Sequence, residues 1–274
     1  MDRWIAALPM YNVTQQHERL WRALLTDALA AFSRAGGPRN VSLPNAPYGE
    51  LAQLWRRRDV LLTQTCGFPY RVLGLHEAVH LVATPVFDVE GCDGPRYRSV
   101  LVVSTAAWER GAKALTSCFG LRAACNGADS HSGMNALRHA VAEYARDGRF
   151  FSSVLWTGSH SESLKAVSDA RADIAAIDCI TLALLRDARP DLLDDIRVIG
   201  MSASAPGLPL IASRALGKNH LEPLRDALSH AVEGDPDRAR ALRLRGFVAL
   251  STEDYADIER MANEAIALGY PTLR

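Results

Sequence analysis

Short apolar runs alternate with longer segments in which apolar residues recur every three or four positions, and this alternation organises almost the whole chain. A strand is predicted over 4–10. Across Gln15–Arg34, residues Leu20, Ala23, Leu24, Ala28, Ala31 and Phe32 fall at helical spacing, and Gly36-Gly37-Pro38 ends that helix. A short strand over 41–43 precedes a helix over 48–57 with Leu51, Leu54 and Trp55 on one face. The next strand, 60–65, runs into the turn Cys66-Gly67-Phe68-Pro69-Tyr70, and a strand over 79–84 closes at Pro85. Residues 87–97, with Gly91, Gly94 and Pro95, form an exposed excursion before the strongly β segment Ser99–Ser104. The alternation then restarts: helix 107–117, strand 121–125, helix 133–146, strand 153–157, helix 161–170, strand 174–177 and helix 181–188. Strands Ile196–Met201 and 210–212 flank Pro206 and Pro209, and helices Leu221–Glu233, 235–244 and 252–268 finish the chain.

Repeated strand–helix units imply a mostly parallel sheet with helices on its faces. Such sheets take ligands at the carboxyl ends of their strands, where the Gly/Ser/His/Cys turns of this chain fall. Two β-rich crossings, near 84–100 and 198–210, divide the chain into an outer α/β lobe (1–85 and 206–274) and a middle α/β lobe (86–205, with the crossings). The expected fold is α/β and two-lobed, each lobe a mostly parallel sheet flanked by helices, with two hinge strands beside a cleft.

Composition narrows the function. A hydrophobic share of 48% with 23% charged residues is that of a soluble globular protein. Lys+Arg and Asp+Glu are both 31, and the one basic run, Arg56-Arg57-Arg58, reads as the solvated end of a helix. Nucleic acid, which calls for a concentrated basic patch, is not an expected partner. The N-terminal run stops at Pro9 with no cleavage site after it, so it reads as a first strand rather than a signal peptide. As it stands the sequence is expected to be cytoplasmic, or periplasmic if a signal peptide has been removed. No apolar stretch approaches the ~20 residues of a membrane span. Five cysteines without a CxxC pair give no zinc or redox framework; reduced thiols are expected, although Cys118 and Cys125 could pair in an oxidising compartment.

The stretch Asn126-Gly127-Ala128-Asp129-Ser130-His131-Ser132-Gly133-Met134-Asn135 reads as a strand opening through a turn onto a helix N-terminus. Unpaired N–H groups and about half an elementary charge at a helix start make it a seat for a small anion, or an ordinary N-cap. Gly158-Ser159-His160 repeats the design one unit later. Both imidazoles would add positive charge if protonated. Ser132 with His131 or His160 and Asp178 contains the residue types of a hydrolytic triad, but no G-x-S-x-G elbow is present, since Gly200-Met201-Ser202-Ala203-Ser204 ends in Ser. With no H-E-x-x-H or dense acidic cluster either, no enzyme activity, metal or cofactor is expected.

Taken in order, Ala7-Leu8-Pro9-Met10-Tyr11, Gln64-Thr65-Cys66-Gly67-Phe68-Pro69-Tyr70, Ala83-Thr84-Pro85 ahead of Tyr97-Arg98-Ser99, Asn126-Gly127 before Ser130-His131-Ser132-Gly133, Thr157-Gly158-Ser159-His160, Ala172-Asp173-Ile174-Ala175-Ala176-Ile177-Asp178 and Ala205-Pro206-Gly207-Leu208-Pro209 resemble the phosphate/phosphonate-binding subunits of ABC importers. The resemblance spans roughly 4–215. It implies the type 2 periplasmic-binding-protein-like fold, closing on a small anionic ligand such as a phosphonate or phosphate, with an ABC permease as partner. It makes Ser130, His131 and Ser132 the anion seat, with Ser159 and His160 beside it. Tyr11, Cys66, Gly67 and Tyr70 become the facing lid, and Asp178 a contact for a ligand amine or hydroxyl. The alternatives are a cytosolic ligand sensor and, behind it, an enzyme on the same fold.

Overall fold

In a computed structural model, which describes residues 3–45 and 50–274, the chain divides into two α/β units. One comprises Met1–Asp88 and Pro206–Tyr255, the other Val89–Ala205 and Ala256–Arg274.

The sheet of the first unit runs, edge to edge, Leu244–Val248, Val79–Phe87, Leu210–Ser213, Val60–Gln64, Trp4–Ala7, Val41–Ser42. Val60–Gln64 is buried at every position, as a strand covered on both faces must be. Gln15–Arg34 is helical as expected; Thr14 caps it, its hydroxyl accepting from His17 N at 3.3 Å. The helix buries Trp21, Leu24, Leu25, Ala28 and Phe32 and packs against Leu221–Glu233, which buries Leu224, Ala227, Leu228 and Ala231. Fully burying a large apolar side chain contributes about 1.5–3 kcal/mol, so this seam is a principal source of the unit's stability. The helix expected over 48–57 is observed as Leu51–Trp55, its predicted start at Tyr48 lying outside the described residues.

In the second unit the order is Ile196–Met201, Ser99–Ser104, Ile174–Asp178, Arg122–Cys125, Ser153–Trp156. The inner strands Ser99–Ser104 and Ile174–Asp178 are buried throughout. Asp173 anchors the start of the latter, its carboxylate accepting from Arg122 Nε at 2.9 Å and Arg110 Nη2 at 3.1 Å.

Several expectations change. The sheets are mixed rather than mostly parallel: Ser99–Ser104 pairs antiparallel with both its neighbours, as do Leu210–Ser213 and, on its one side, Leu244–Val248. Ser99–Ser104 and Leu210–Ser213 each follow another strand rather than a helix, so right-handed crossover geometry does not dictate their direction. The strand predicted to close at Pro85 continues to Phe87, because Leu244–Val248 pairs along its end. That pairing strand was itself read as the end of a helix over 235–244. The helix stops at Ala241 and Arg243, at φ 53°, turns the chain into the strand. Finally, the terminal helix Ala256–Ala267 belongs to the second unit, not to an outer lobe over 206–274. The buried Arg138 guanidinium donates to Pro271 O, to Ala262 O at 3.3 Å and to Asn135 Oδ1 at 2.9 Å. Asn135 Nδ2 donates to Ile258 O at 3.2 Å, and His139 Nε2 meets Glu264 Oε2 at 2.7 Å. Buried charged groups persist only when hydrogen-bonded, and here the partners come from the last segment of the chain.

Candidate functional site

Strands Arg122–Cys125, Ser153–Trp156 and Ile174–Asp178 are parallel neighbours, so the turns at their carboxyl ends gather on one edge of the sheet. Ser130 is extended and its Oγ accepts from Gly133 N at 3.0 Å. The helix then begins with a wide π turn, His131–Asn135, closed by Asn135 N donating to Ser130 O at 3.0 Å, before the α-helix Ala136–Val141. Helix geometry gives the N–H groups of His131 and Ser132 no intrahelical acceptor. The Ser132 carbonyl accepts from Ser99 Oγ at 2.8 Å, which fixes the turn to the central strand. Its hydroxyl lies 2.8 Å from His160 Nε2. His160 begins the next helix, His160–Ser168, capped by Ser159, whose Oγ accepts from Glu162 N at 3.1 Å. Asp178 caps the third helix: its Oδ1 accepts from Ile180 N at 2.8 Å and Thr181 N at 3.0 Å.

The structure thus brings Ser130, Ser132 and His160 together and gives Ser159 and Asp178 capping bonds at the neighbouring helix starts. His131 is only 2% exposed; its Nδ1 lies 3.2 Å from Asn135 Nδ2 and its ring 6.1 Å from that of Tyr97. Burial pushes its pKa down to about 3, with the neighbouring His139 contributing, and burial pushes that of His160 down to about 4. Both imidazoles are therefore neutral near pH 7, so the condition under which they would add positive charge, protonation, is not met there. What positive potential this edge has comes from the aligned N–H groups of its helix starts.

Two buried polar atoms at this edge have no protein partner, Asn126 Oδ1 and His160 Nδ1. The Asn126 oxygen rests against Gly133: a β-carbon there would lie 1.8 Å from Oδ1, and 3.4 Å from His160 Cε1. Gly133 is what lets the side chains of Asn126 and His160 approach the helix start. Asn126 was not singled out as a site residue in the sequence, although the Asn-Gly at a strand end was its trace. An unpaired buried acceptor costs about 1–3 kcal/mol, a cost that a ligand donor reaching it would offset.

In the first unit the candidates sit differently. Cys66 occupies the cap position of the short helix Gly67–Arg71 at the carboxyl end of Val60–Gln64, and Gly67 and Tyr70 are buried with it. The Tyr70 hydroxyl bonds Thr252 Oγ1 at 2.9 Å and its ring stands edge-on to Tyr255 at 4.9 Å. Tyr255 in turn donates to Gly207 O at 3.0 Å and meets Thr84 Oγ1 at 2.7 Å. Burial raises the pKa of both phenols. Tyr11 is 1% exposed and packs edge-on against Phe87 at 5.2 Å. This Thr84–Tyr255–Tyr70–Thr252 chain was not foreseen, since its members are far apart in sequence.

Two mixed sheets flanked by helices define the class: the two-lobed type 2 periplasmic-binding-protein fold. The family described as "ABC transporter, phosphonate, periplasmic substrate-binding protein" matches residues 5–255, and the chain belongs to it. It is a family of substrate-binding transport proteins rather than of enzymes. Solved structures agree on the fold. The binding-protein component of an ABC phosphonate transporter from Pseudomonas aeruginosa is 18% identical with a TM-score of 0.77, covering 98% of this chain and 88% of that one. PhnD1 from Prochlorococcus marinus, in complex with methylphosphonate, is 15% identical with a TM-score of 0.73, covering 98% of each. The alkanesulfonate-binding protein SsuA from Xanthomonas axonopodis pv. citri, bound to MOPS, is 14% identical with a TM-score of 0.65, covering 98% and 94%. No protein of curated function matches the chain in sequence. Among the described residues no group of three or more His, Cys, Asp or Glu side chains is placed to hold a metal ion, and no helix is long and apolar enough to cross a membrane.

Proposed function

We propose that the chain captures a small phosphonate- or phosphate-like anion for an ABC importer in the periplasm, and that the anion is held at the strand-end turns of the second unit. The observation that carries this reading is the convergence, beside Gly133, of a helix start and the Ser132–His160 pair; the buried Asn126 Oδ1 next to them is an acceptor and suits an N–H or O–H of the ligand rather than its anionic oxygens. Membership of the phosphonate-binding family supports the ligand class, as does the methylphosphonate held by PhnD1. Charge-assisted hydrogen bonds contribute roughly 1.5–3 kcal/mol each. Four or five of them, less the cost of ordering ligand and turn, reach the ~8 kcal/mol of micromolar binding.

Asp178 shapes the choice of ligand. Its Oδ1 accepts from two backbone donors, which moderates its repulsion of an anion, and a carboxylate is the natural partner of a ligand amine or hydroxyl. A phosphonate that also carries such a donor therefore fits better than bare phosphate. In the first unit Cys66 and Gly67 form the start of a short helix at a strand end, and Tyr11 and Tyr70 are buried in the core of that unit.

A panel of phosphate, methylphosphonate, 2-aminoethylphosphonate, methanesulfonate and acetate, tested by thermal shift and then by calorimetry, decides the matter, since a ligand bound only by the folded state raises apparent stability. The aminophosphonate is expected to bind most tightly and acetate most weakly. Equal and millimolar affinity for all five anions would refute the assignment.

A further inference from the structure

We propose that Cys92 and Cys179 form a disulfide on exposure to a disulfide oxidant such as oxidised glutathione, fastening the loop around Gly91 to the helix start that carries Asp178. The two sulfurs already lie 3.6 Å apart. Cys179 is buried and begins the helix Cys179–Ala188, its N–H donating to Arg98 O at 3.1 Å. Cys92 is half-buried, and its N–H donates to Val89 O at 2.9 Å within a loop closed by the reciprocal Asp93–Arg96 backbone bonds. Gly91, at φ 95°, lays its backbone directly on Cys179: a β-carbon there would sit 3.2 Å from Cys179 Cβ and 3.5 Å from Met201 Sδ. Both cysteine backbones are thus held, and the sulfurs need approach by about 1.5 Å to reach the ~2.05 Å of a bond.

Cys118 and Cys125 are the contrast. Each thiol is turned to a backbone carbonyl, Ala114 O at 3.3 Å and Gly127 O at 3.7 Å. Burial pushes them up to about 11 and about 12. The pairing entertained from sequence is replaced by one whose members are 87 positions apart.

The exchange balances without a further reagent. Cys92, the more accessible thiol, loses its proton to solvent and its thiolate attacks one sulfur of oxidised glutathione, breaking that S–S bond and releasing one glutathione thiolate. Its hydrogen bond to Cys92, burial and the Asp178 carboxylate keep the Cys179 thiol protonated until then. Cys179 next gives up its proton, attacks the Cys92 sulfur and displaces the second glutathione. Two protein thiols are oxidised to one disulfide and one glutathione disulfide is reduced to two thiols. Because the bond closes a long loop, it restricts the unfolded chain and raises the unfolding temperature.

The test is independent of the ligand. Purified protein is equilibrated in glutathione buffers from fully reduced to fully oxidised, free thiols are trapped by alkylation, and peptides are analysed by mass spectrometry. Under oxidising conditions a peptide pair linking Cys92 to Cys179 is expected, with the other three cysteines alkylated. The thermal midpoint is expected to rise by about 5 °C or more, a rise abolished in Cys92→Ser and, should that variant fold poorly, in Cys92→Ala. Five alkylated thiols under full oxidation, a glutathione adduct that stops at Cys92, a Cys118–Cys125 link, or a bridged protein with an unchanged or lower midpoint would each overturn the proposal.

Discussion

The two units carry turns at comparable places, each at the carboxyl end of a buried strand, yet they are built in opposite ways. After Val60–Gln64 the chain closes its turn with aromatic residues, and the Tyr70 hydroxyl finds Thr252 inside its own unit. After Arg122–Cys125 it closes the turn with small polar residues, and Asn126 Oδ1 and His160 Nδ1 find no protein partner. A satisfied phenol in a core contributes packing and a hydrogen bond. An unsatisfied amide oxygen beside a glycine and a helix start is chemistry held in reserve. Residue type alone does not separate the two, for tyrosine and serine are both ordinary anion contacts; the accounting of partners does.

Gly133→Ala breaks the contrast most severely. Its methyl group must displace Asn126, so stability is expected to fall by about 1–3 kcal/mol and anion affinity to fall further than for any hydroxyl deletion. Adding Asn126→Gly is expected to restore stability but not affinity. Chemical denaturation and calorimetry on both variants check this.

A smaller and cleaner effect comes from paired hydroxyl deletions. Ser132→Ala should weaken binding of the tightest anion in the panel by about 1–3 kcal/mol, roughly 5–150-fold, with the fold intact. Tyr70→Phe should cost about 1 kcal/mol of stability through the lost Thr252 bond while leaving affinity unchanged. If calorimetry finds the tyrosine variant to be the worse binder, the two turns are more alike than their hydrogen bonds imply.

The pH response sharpens the comparison further. A histidine whose folded pKa is depressed takes up its proton more readily in the unfolded chain, where it titrates near ~6.5. The contribution of His131 and His160 is therefore complete above about pH 6.5 and is lost as pH falls towards their folded values of about 3 and about 4. His160→Gln is expected to flatten the fall in stability between about pH 7 and 5, read from denaturation midpoints. The smallest effect is on affinity. Methanesulfonate does not change charge in this range, so its binding should vary little from about pH 8 to 6. A marked strengthening towards acid would show that the imidazoles do become cationic.

Much of the architecture was legible in the sequence. Gln15–Arg34, Ser99–Ser104, Ile196–Met201 and Leu221–Glu233 are observed with the bounds that periodicity predicts. Periodicity sees an amphipathic face directly. It fails where a local backbone event intervenes. Arg243 in a left-handed conformation turns a helix into the strand Leu244–Val248, and Gly111, at φ 102°, lies where a helix expected over 107–117 has given way after Glu109. It fails also where a long-range partner decides, as when that same strand carries Val79–Phe87 past Pro85.

The site shows the same division. Serine and aspartate ahead of apolar runs announce helix starts because their short side chains pair with orphan N–H groups, and Ser130, Ser159 and Asp178 do so here. The sequence by itself also placed these starts at successive strand ends and carried the order of motifs that marks the family. Only the tertiary structure decided strand direction, the membership of the terminal helix, the inward turn of His131, the pairing of Ser132 with His160, and the meeting of Asn126 with Gly133 and of Cys92 with Cys179. The reason is one of range. Capping and periodicity act over a few residues and leave a local trace, whereas the burial that keeps an imidazole neutral and the contact that brings two sulfurs to 3.6 Å arise only when distant segments pack together.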